Sequence, residues 1–295
     1  MKKLIPALAM LVISAVMMST ASFAWFSMNT QVEVNGITVD TVAPVYVSIK
    51  KTSESTWNTA VTANKNIKLI PADTNTAVLD NTNGFTWVAI DPNKFQTTTG
   101  GGVVAGEKKV SADDLLAISN TGTITTTGWT DTAAYLFDSY DFALQNDPGK
   151  TVEIYLNQMI LDDISKGMVG CLRVALVNVV TTGSGDSVTT TRSLVGVYAA
   201  GATDTYAPLK SGADGYTADT STVSTVAGTV GTDGAANTVT YTYAAENAVE
   251  LPVAANGQVT LEVYVWFEGQ DTDCVNANAN GGFTITFIFN SKEGT

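Results

Sequence analysis

Val259-Thr260-Leu261-Glu262-Val263-Tyr264-Val265-Trp266-Phe267-Glu268 alternates without a break. Val259, Leu261, Val263, Val265 and Phe267 fall on one face of an extended chain, and Thr260, Glu262, Tyr264, Trp266 and Glu268 on the other. Successive side chains of a strand point to opposite sides, so the stretch reads as a strand with one face turned to a core. After a polar loop over 269–282, Phe283, Ile285, Phe287 and Phe289 repeat the pattern as a last inward row.

The same period recurs upstream. Val45, Val47 and Ile49 alternate with Tyr46, Ser48 and Lys50, and Phe85, Trp87 and Ala89 form another short run before Asp91-Pro92. The polar stretch 50–66 reads as a loop or edge hairpin around Trp57, and 67–70 as a short strand. Tyr135, Phe137, Tyr140 and Phe142 lead to the turn Asp147-Pro148-Gly149, after which Val152, Ile154 and Leu156 alternate with polar residues. Residues 171–180 are apolar almost throughout, broken by Arg173 and Asn178, which predicts a central strand buried on both faces. Val239, Tyr241 and Tyr243 mark another strand. Between them, 181–237 is rich in Thr, Gly and Ala with few large apolar side chains, its best strand being 194–198, and it reads as a long surface insertion. One helix is expected after the leader, capped by Ser111, with Asp113 and Asp114 in its first turn and Leu115, Leu116 and Ile118 on its apolar face.

Roughly ten strands with turn punctuation and almost no helix predict an all-β fold, a two-sheet antiparallel sandwich of jelly-roll or Greek-key type. Composition agrees. Apolar residues make up 45% of the 295 positions, enough for a core, and the polar remainder is mostly Thr, Asn, Ser and Gly, which favour strands and turns. The formal net charge of −13 repels phosphate backbones, so nucleic acid is not an expected partner.

The first residues follow another logic. Lys2 and Lys3 precede an apolar run from Leu4 to Met18 and the small-residue exit Ser22-Phe23-Ala24. This is the pattern of a secretory signal helix over 1–24, cut between Ala24 and Trp25. An uncleaved anchor is the competing reading, since 4–26 is just long enough to span a bilayer. Secretion permits a disulfide between Cys171 and Cys274, worth roughly 4–5 kcal/mol in the chain-entropy picture, with two separate thiols the equal alternative.

Catalytic apparatus is not expected. The chain has no His, which removes Ser-His-Asp and Cys-His nucleophile systems and the common zinc sites. Gly183-Ser184-Gly185-Asp186-Ser187 lacks the spacing of a nucleophile elbow, and 101–108 carries Glu107 where a phosphate loop needs Lys. Asp113/Asp114 and Asp162/Asp163 read as a helix start and a turn rather than glycosidase pairs. Asp73, Asp80, Asp271 and Asp273 fit no calcium-loop spacing and read as solvated turns. Trp25, Trp57, Trp87, Trp129 and Trp266 suit packing between sheets better than a sugar-binding face. No cofactor and no metal is expected.

What remains is the segment 25–40. Phe26, Met28, Val32 and Val34 alternate with polar residues up to Asn35-Gly36, where the parity flips to Ile37 and Val39. A chain cut after Ala24 starts with a half-apolar strand that needs a sheet, its own or a neighbour's. Donated to the next subunit, it makes a contact that does not close and so builds a filament. Burial of those four side chains would contribute roughly 6–10 kcal/mol before ordering costs.

Ala21-Ser22-Phe23-Ala24-Trp25-Phe26-Ser27, followed by Val34-Asn35-Gly36-Ile37-Thr38-Val39, resembles the exit and first strand of the TasA/camelysin family, secreted biofilm-matrix proteins of Gram-positive bacteria. The likeness covers 21–39: a small-residue cut, an aromatic pair, a short polar stretch and a Gly-bearing strand. It departs at Ser27, where the family carries an acidic residue, and in the two cysteines and the 181–237 segment. The resemblance implies a jelly-roll domain over 41–295, processed by a signal peptidase and polymerising through N-terminal donor strands. The protease activity reported for camelysin is not implied, because no catalytic residues match. The expectation is a secreted, non-enzymatic structural subunit of an extracellular fibre or biofilm matrix at the cell surface. Its partners are itself, the signal peptidase and other matrix components. The alternative is a monomeric, membrane-anchored surface module binding carbohydrate or a cell surface.

Overall fold

The computed structural model describes residues 37–42, 47–65, 68–70, 72, 88–90, 115–117, 132–144, 151–162, 171–184, 187–199, 205–206, 209–212, 215–218, 223–224, 226–227, 229–231, 238–244, 248–251, 257–268 and 284–293. Thirteen strands among them make two sheets. They are β1 (Ile37–Val42), β2 (Val47–Lys51), β3 (Ala60–Lys65), β4 (Leu136–Leu144), β5 (Val152–Asp162), β6 (Leu172–Thr182), β7 (Thr189–Ala199), β8 (Val226–Ala227), β9 (Thr229–Gly231), β10 (Thr238–Thr242), β11 (Val249–Leu251), β12 (Gln258–Phe267) and β13 (Thr284–Glu293). The seven-stranded sheet runs β9-β10-β5-β13-β1-β3, with β11 also on β5; the six-stranded sheet runs β8-β7-β6-β12-β4-β2.

The two C-terminal strands that read so clearly do not pair with each other. β12 lies between β6 and β4 in one sheet, and β13 between β5 and β1 in the other. Their apolar faces meet across the sandwich: Val259, Leu261, Val263, Val265 and Phe267 share a single core with Ile285, Phe287 and Phe289. Phe142 of β4 meets Phe289 edge-on at 5.0 Å, and Tyr198 of β7 meets Tyr243, just past β10, at 5.0 Å. Such pairs lock the sheets in register as well as burying area.

β5 shows how the core tolerates a change of parity. Ile154 and Leu156 are buried, then Met159 and Leu161, one residue out of step. The register to β13 shifts at Ile288/Phe289, a bulge that takes up Asn157 and returns the apolar side chains to the core. A second shift, at Leu176/Val177, lies between β6 and β7.

Both flanks of the sandwich are crossed by chain that changes sheet. After β2 the chain doubles back, Asn58 and Ile49 exchange two backbone hydrogen bonds of 2.8 Å, and the next strand, β3, belongs to the opposite sheet. At the far flank β8 pairs with β7 in one sheet, and β9, one residue on, pairs with β10 in the other. Switching strands close corners in this way.

Three expectations change. Leu115–Ala117 is a strand paired with Val88–Ile90, not helix: the capping pattern at Ser111 is a local signal, and β-pairing outweighs it. Residues 181–182 and 189–199 belong to the six-stranded sheet, as the end of β6 and the whole of its eleven-residue partner β7. Asp162 is the last residue of β5, paired with Thr238 and Thr284, rather than part of a turn. The leader 1–24 lies outside the described residues, and no helix among those described is long and apolar enough to cross a membrane.

Candidate functional site

Among the described residues, the outer face of the six-stranded sheet carries most of the buried charge. Register lines up Lys50, Asp141, Thr260, Val179 and Arg192 across β2, β4, β12, β6 and β7. One row over stand Ser139, Glu262, Val177 and Leu194. These residues share a face because alternation sends their neighbours Tyr140, Phe142, Leu261 and Leu176 into the core.

Asp141 is 2% exposed and fully engaged. Lys50 Nζ donates to its Oδ2 at 2.6 Å, while the hydroxyls of Thr260 and Thr52 donate to Oδ1 at 2.7 and 3.1 Å. The same ammonium donates to the Glu54 carbonyl at 3.1 Å and stands 5.2 Å from the centre of the Trp57 ring. A buried carboxylate with three donors is compensated for its lost water.

The second centre is Arg192 with Glu262. Arg192 Nε and Nη2 grip both carboxylate oxygens at 2.9–3.1 Å, and the Tyr264 hydroxyl adds a bond of 2.8 Å. The hydrogen bond to Glu262 is the main cause of a raised Arg192 pKa. Burial, followed by the Glu262 charge, pushes the Tyr264 phenol well above its ordinary value.

Towards the other end of the face the sheet is covered. Ile70 NH donates to Ala133 O and Ala72 NH to Phe267 O, both at 3.0 Å, which lays 68–70 and Ala72 along the sheet. Ile70, Ala72, Ala134 and Tyr135 close over Ala175, Val177, Val197 and Trp266. Two charged groups lie under this lid: Glu268 accepts from the Trp266 indole at 3.1 Å, and Arg173 Nη1 donates to Leu172 O at 3.0 Å.

On the uncovered side, a groove of about 640 Å³ is walled by Asp141, Asn178, Glu250, Gln258 and Thr260, with Val180 at its rim. Trp57, 38% exposed, lies on the loop after β2, with Lys50 over its ring.

The residues singled out in the sequence are placed unevenly. Ala24, Trp25, Phe26, Met28, Val32, Val34 and Cys274 lie outside the described residues, as do Trp87, Trp129, Asp73, Asp80, Asp113, Asp114, Asp163, Asp271, Asp273 and 101–108. Cys171 is buried immediately before β6, and its carbonyl accepts from Glu268 NH at 2.8 Å. Gly183 and Ser184 follow β6 and Ser187 precedes β7; Gly183 has φ +93° and an added Cβ would meet Ser187 O, whereas a nucleophile elbow leads into a helix. Among the tryptophans, Trp266 is core as expected, while Trp57 is open to solvent. Lys50, Asp141, Arg192 and Glu262 were not anticipated. Their one signal is a charge at an outward position of a strand.

No family model, curated protein or solved structure matches the chain.

Proposed function

We propose that this protein is a secreted, non-enzymatic structural subunit of an extracellular fibre or matrix, built on a jelly roll and assembled by donation of an N-terminal strand. Strand order supports the jelly roll: β1-β13-β5-β10 faces β4-β12-β6-β7, four strands against four, with β2 and β3 added at one flank. The signal-like leader and the absence of His support export without catalysis. The charged centres support it too, since Asp141 and Glu262 each tie strands together through direct partners.

The seat of β1 carries the assembly reading. β1 is interior, antiparallel to β3 and parallel to β13, and this is the one parallel pair among the described strands of its sheet. It follows the alternating ribbon directly, so the part available for donation is 25–36, narrower than the 25–40 read from sequence. Phe26, Met28, Val32 and Val34 are its apolar side in sequence. A donated ribbon is thereby joined to the middle of its own subunit's sheet, and a neighbour's pull passes into the core.

The test is negative-stain microscopy of a chain that begins at Trp25, beside one that lacks 25–34. Filaments are expected from the first alone. Filaments from both exclude this ribbon as donor, and none from either excludes the fibre.

A further inference from the structure

Where β6 ends and β7 begins, the six-stranded sheet turns its core side to solvent. We propose that this open corner seats the ribbon 25–36 of a second copy, a step that rests on the assembly reading above and gives the ribbon its landing place.

Parity identifies the face. Val174 and Leu176 put the even positions of β6 into the core, so Asn178, Val180 and Thr182 continue the core side, and register adds Ser193, Thr191 and Thr189 of β7. All of these but Asn178 are exposed, Val180 by 47%, while Thr190, Arg192 and Leu194 on the outward side of β7 are half-buried. The side that belongs inside is the more open one. Tyr198 and Tyr243 still meet across the sandwich, but β10 has ended at Thr242, and among the described strands only the three-residue β11 continues beside β5. The groove reaches this face through Asn178 and Val180 and touches β11 at Glu250. The edge is open too. β8 pairs with β7 only at Tyr198 and Ala199, so Thr189 to Val197 have no described partner on that side. An unpaired edge is a template for another strand.

Reach and charge decide the occupant. Glu250 is level with Lys292 through Glu153, whereas β1 starts at Ile37, next to the Thr38↔Thr284 pair at the other end of β13. Those two levels lie about 27 Å apart along the strands. The segment 25–36 extends to about 40 Å; lying along Thr189 to Ser193 takes about 17 Å of that and leaves about 23 Å. A chain's own ribbon therefore falls short of this corner, and a neighbour's does not. Copies with a net charge of −13 repel one another, but the six residues of the face carry no charge and the ribbon only Glu33. Added to the edge of β7, the ribbon gains main-chain hydrogen bonds and sets Phe26, Met28, Val32 and Val34 beside Thr191 and over Val180.

The experiment uses the mature chain without 25–34 and a labelled peptide of residues 25–36, read by fluorescence anisotropy. Saturable binding is expected, and a benzophenone side chain in place of Val32 should attach within 178–193. Val180→Asp with Thr191→Asp should weaken binding about tenfold, and Thr181→Asp, on the outward side, should leave it unchanged. All three positions are exposed, so the melting temperature should hold within error. In the chain that begins at Trp25, the same pair of substitutions should stop filaments. No saturable binding, attachment elsewhere, or binding unmoved by the pair would overturn the proposal. Dimers of the shortened chain that the pair abolishes would give the face to a second copy's own edge and overturn it too. Filaments that persist with the pair strike this seat alone and leave ribbon donation standing; no filaments from the unsubstituted chain strike both.

Discussion

One strand passes through two environments on a single face. Outward along β12 come Thr260, Glu262, Tyr264, Trp266 and then Glu268. The first two belong to the open half of the outer face, where carboxylates are held by Lys50 and Arg192. Trp266 packs under Ile70 and Ala72 and is 0% exposed, and Glu268 accepts from its indole. Tyr264 is the join: its ring packs 5.2 Å from Phe137 and 5.5 Å from Tyr135, and its hydroxyl reaches back to Glu262. Alternation says which residues leave the core; it does not say whether water or more protein waits on that side.

The difference can be broken at its covered end. Trp266→Ala should cost about 3–5 kcal/mol, because it empties a filled site and removes the indole donor from Glu268. Urea unfolding checks it, and a loss below about 1 kcal/mol would mean that the lid contributes no core.

At the open end, Arg192→Met should cost about 2–3 kcal/mol. This is less than a fully buried pair, because Arg192 is 33% exposed while Glu262 is 7% exposed and keeps its bond from Tyr264. A cost near zero would make this half as solvent-like as any surface.

The join is tested by alkali. Burial raises the Tyr264 phenol, so the folded chain keeps a proton that the unfolded chain, titrating near 10.0, has lost. Stability is intact below the unfolded value and falls as pH rises from there towards the folded one, at about 1.4 kcal/mol per pH unit for each such tyrosine. Tyr198 and Tyr243, raised by burial in the core, act with the same sign. Tyr264→Phe should flatten the slope by one proton in urea midpoints taken from about pH 9 to about pH 11. An unchanged slope would place that ring in water.

How far the sequence was legible follows from what each signal can carry. Period two identified β12, β13 and the doubly buried β6, because a half-buried strand has no other way to hide its apolar side chains. It could not assign β12 and β13 to different sheets, since both inward rows look alike from either side of the core. Within Thr189–Ala199 only 194–198 reads as a strand; the polar half, 189–193, joins it because β6 offers a partner. The site was hardly legible at all. Lys50 and Asp141 meet across 91 residues of chain, Arg192 and Glu262 across 70, and no local pattern records such a meeting. Trp57 differs from Trp266 only in where the fold leaves it.

The parallel seat of β1 also decides how the domain bears tension. Five residue pairs, from Thr38↔Thr284 to Val42↔Ile288, line the seam between β1 and β13. A force that draws Ile37 and Glu293 apart runs along those strands, so the hydrogen bonds are sheared together instead of being unzipped one after another. The subunit should therefore resist stretching far better than a sandwich whose end strands peel.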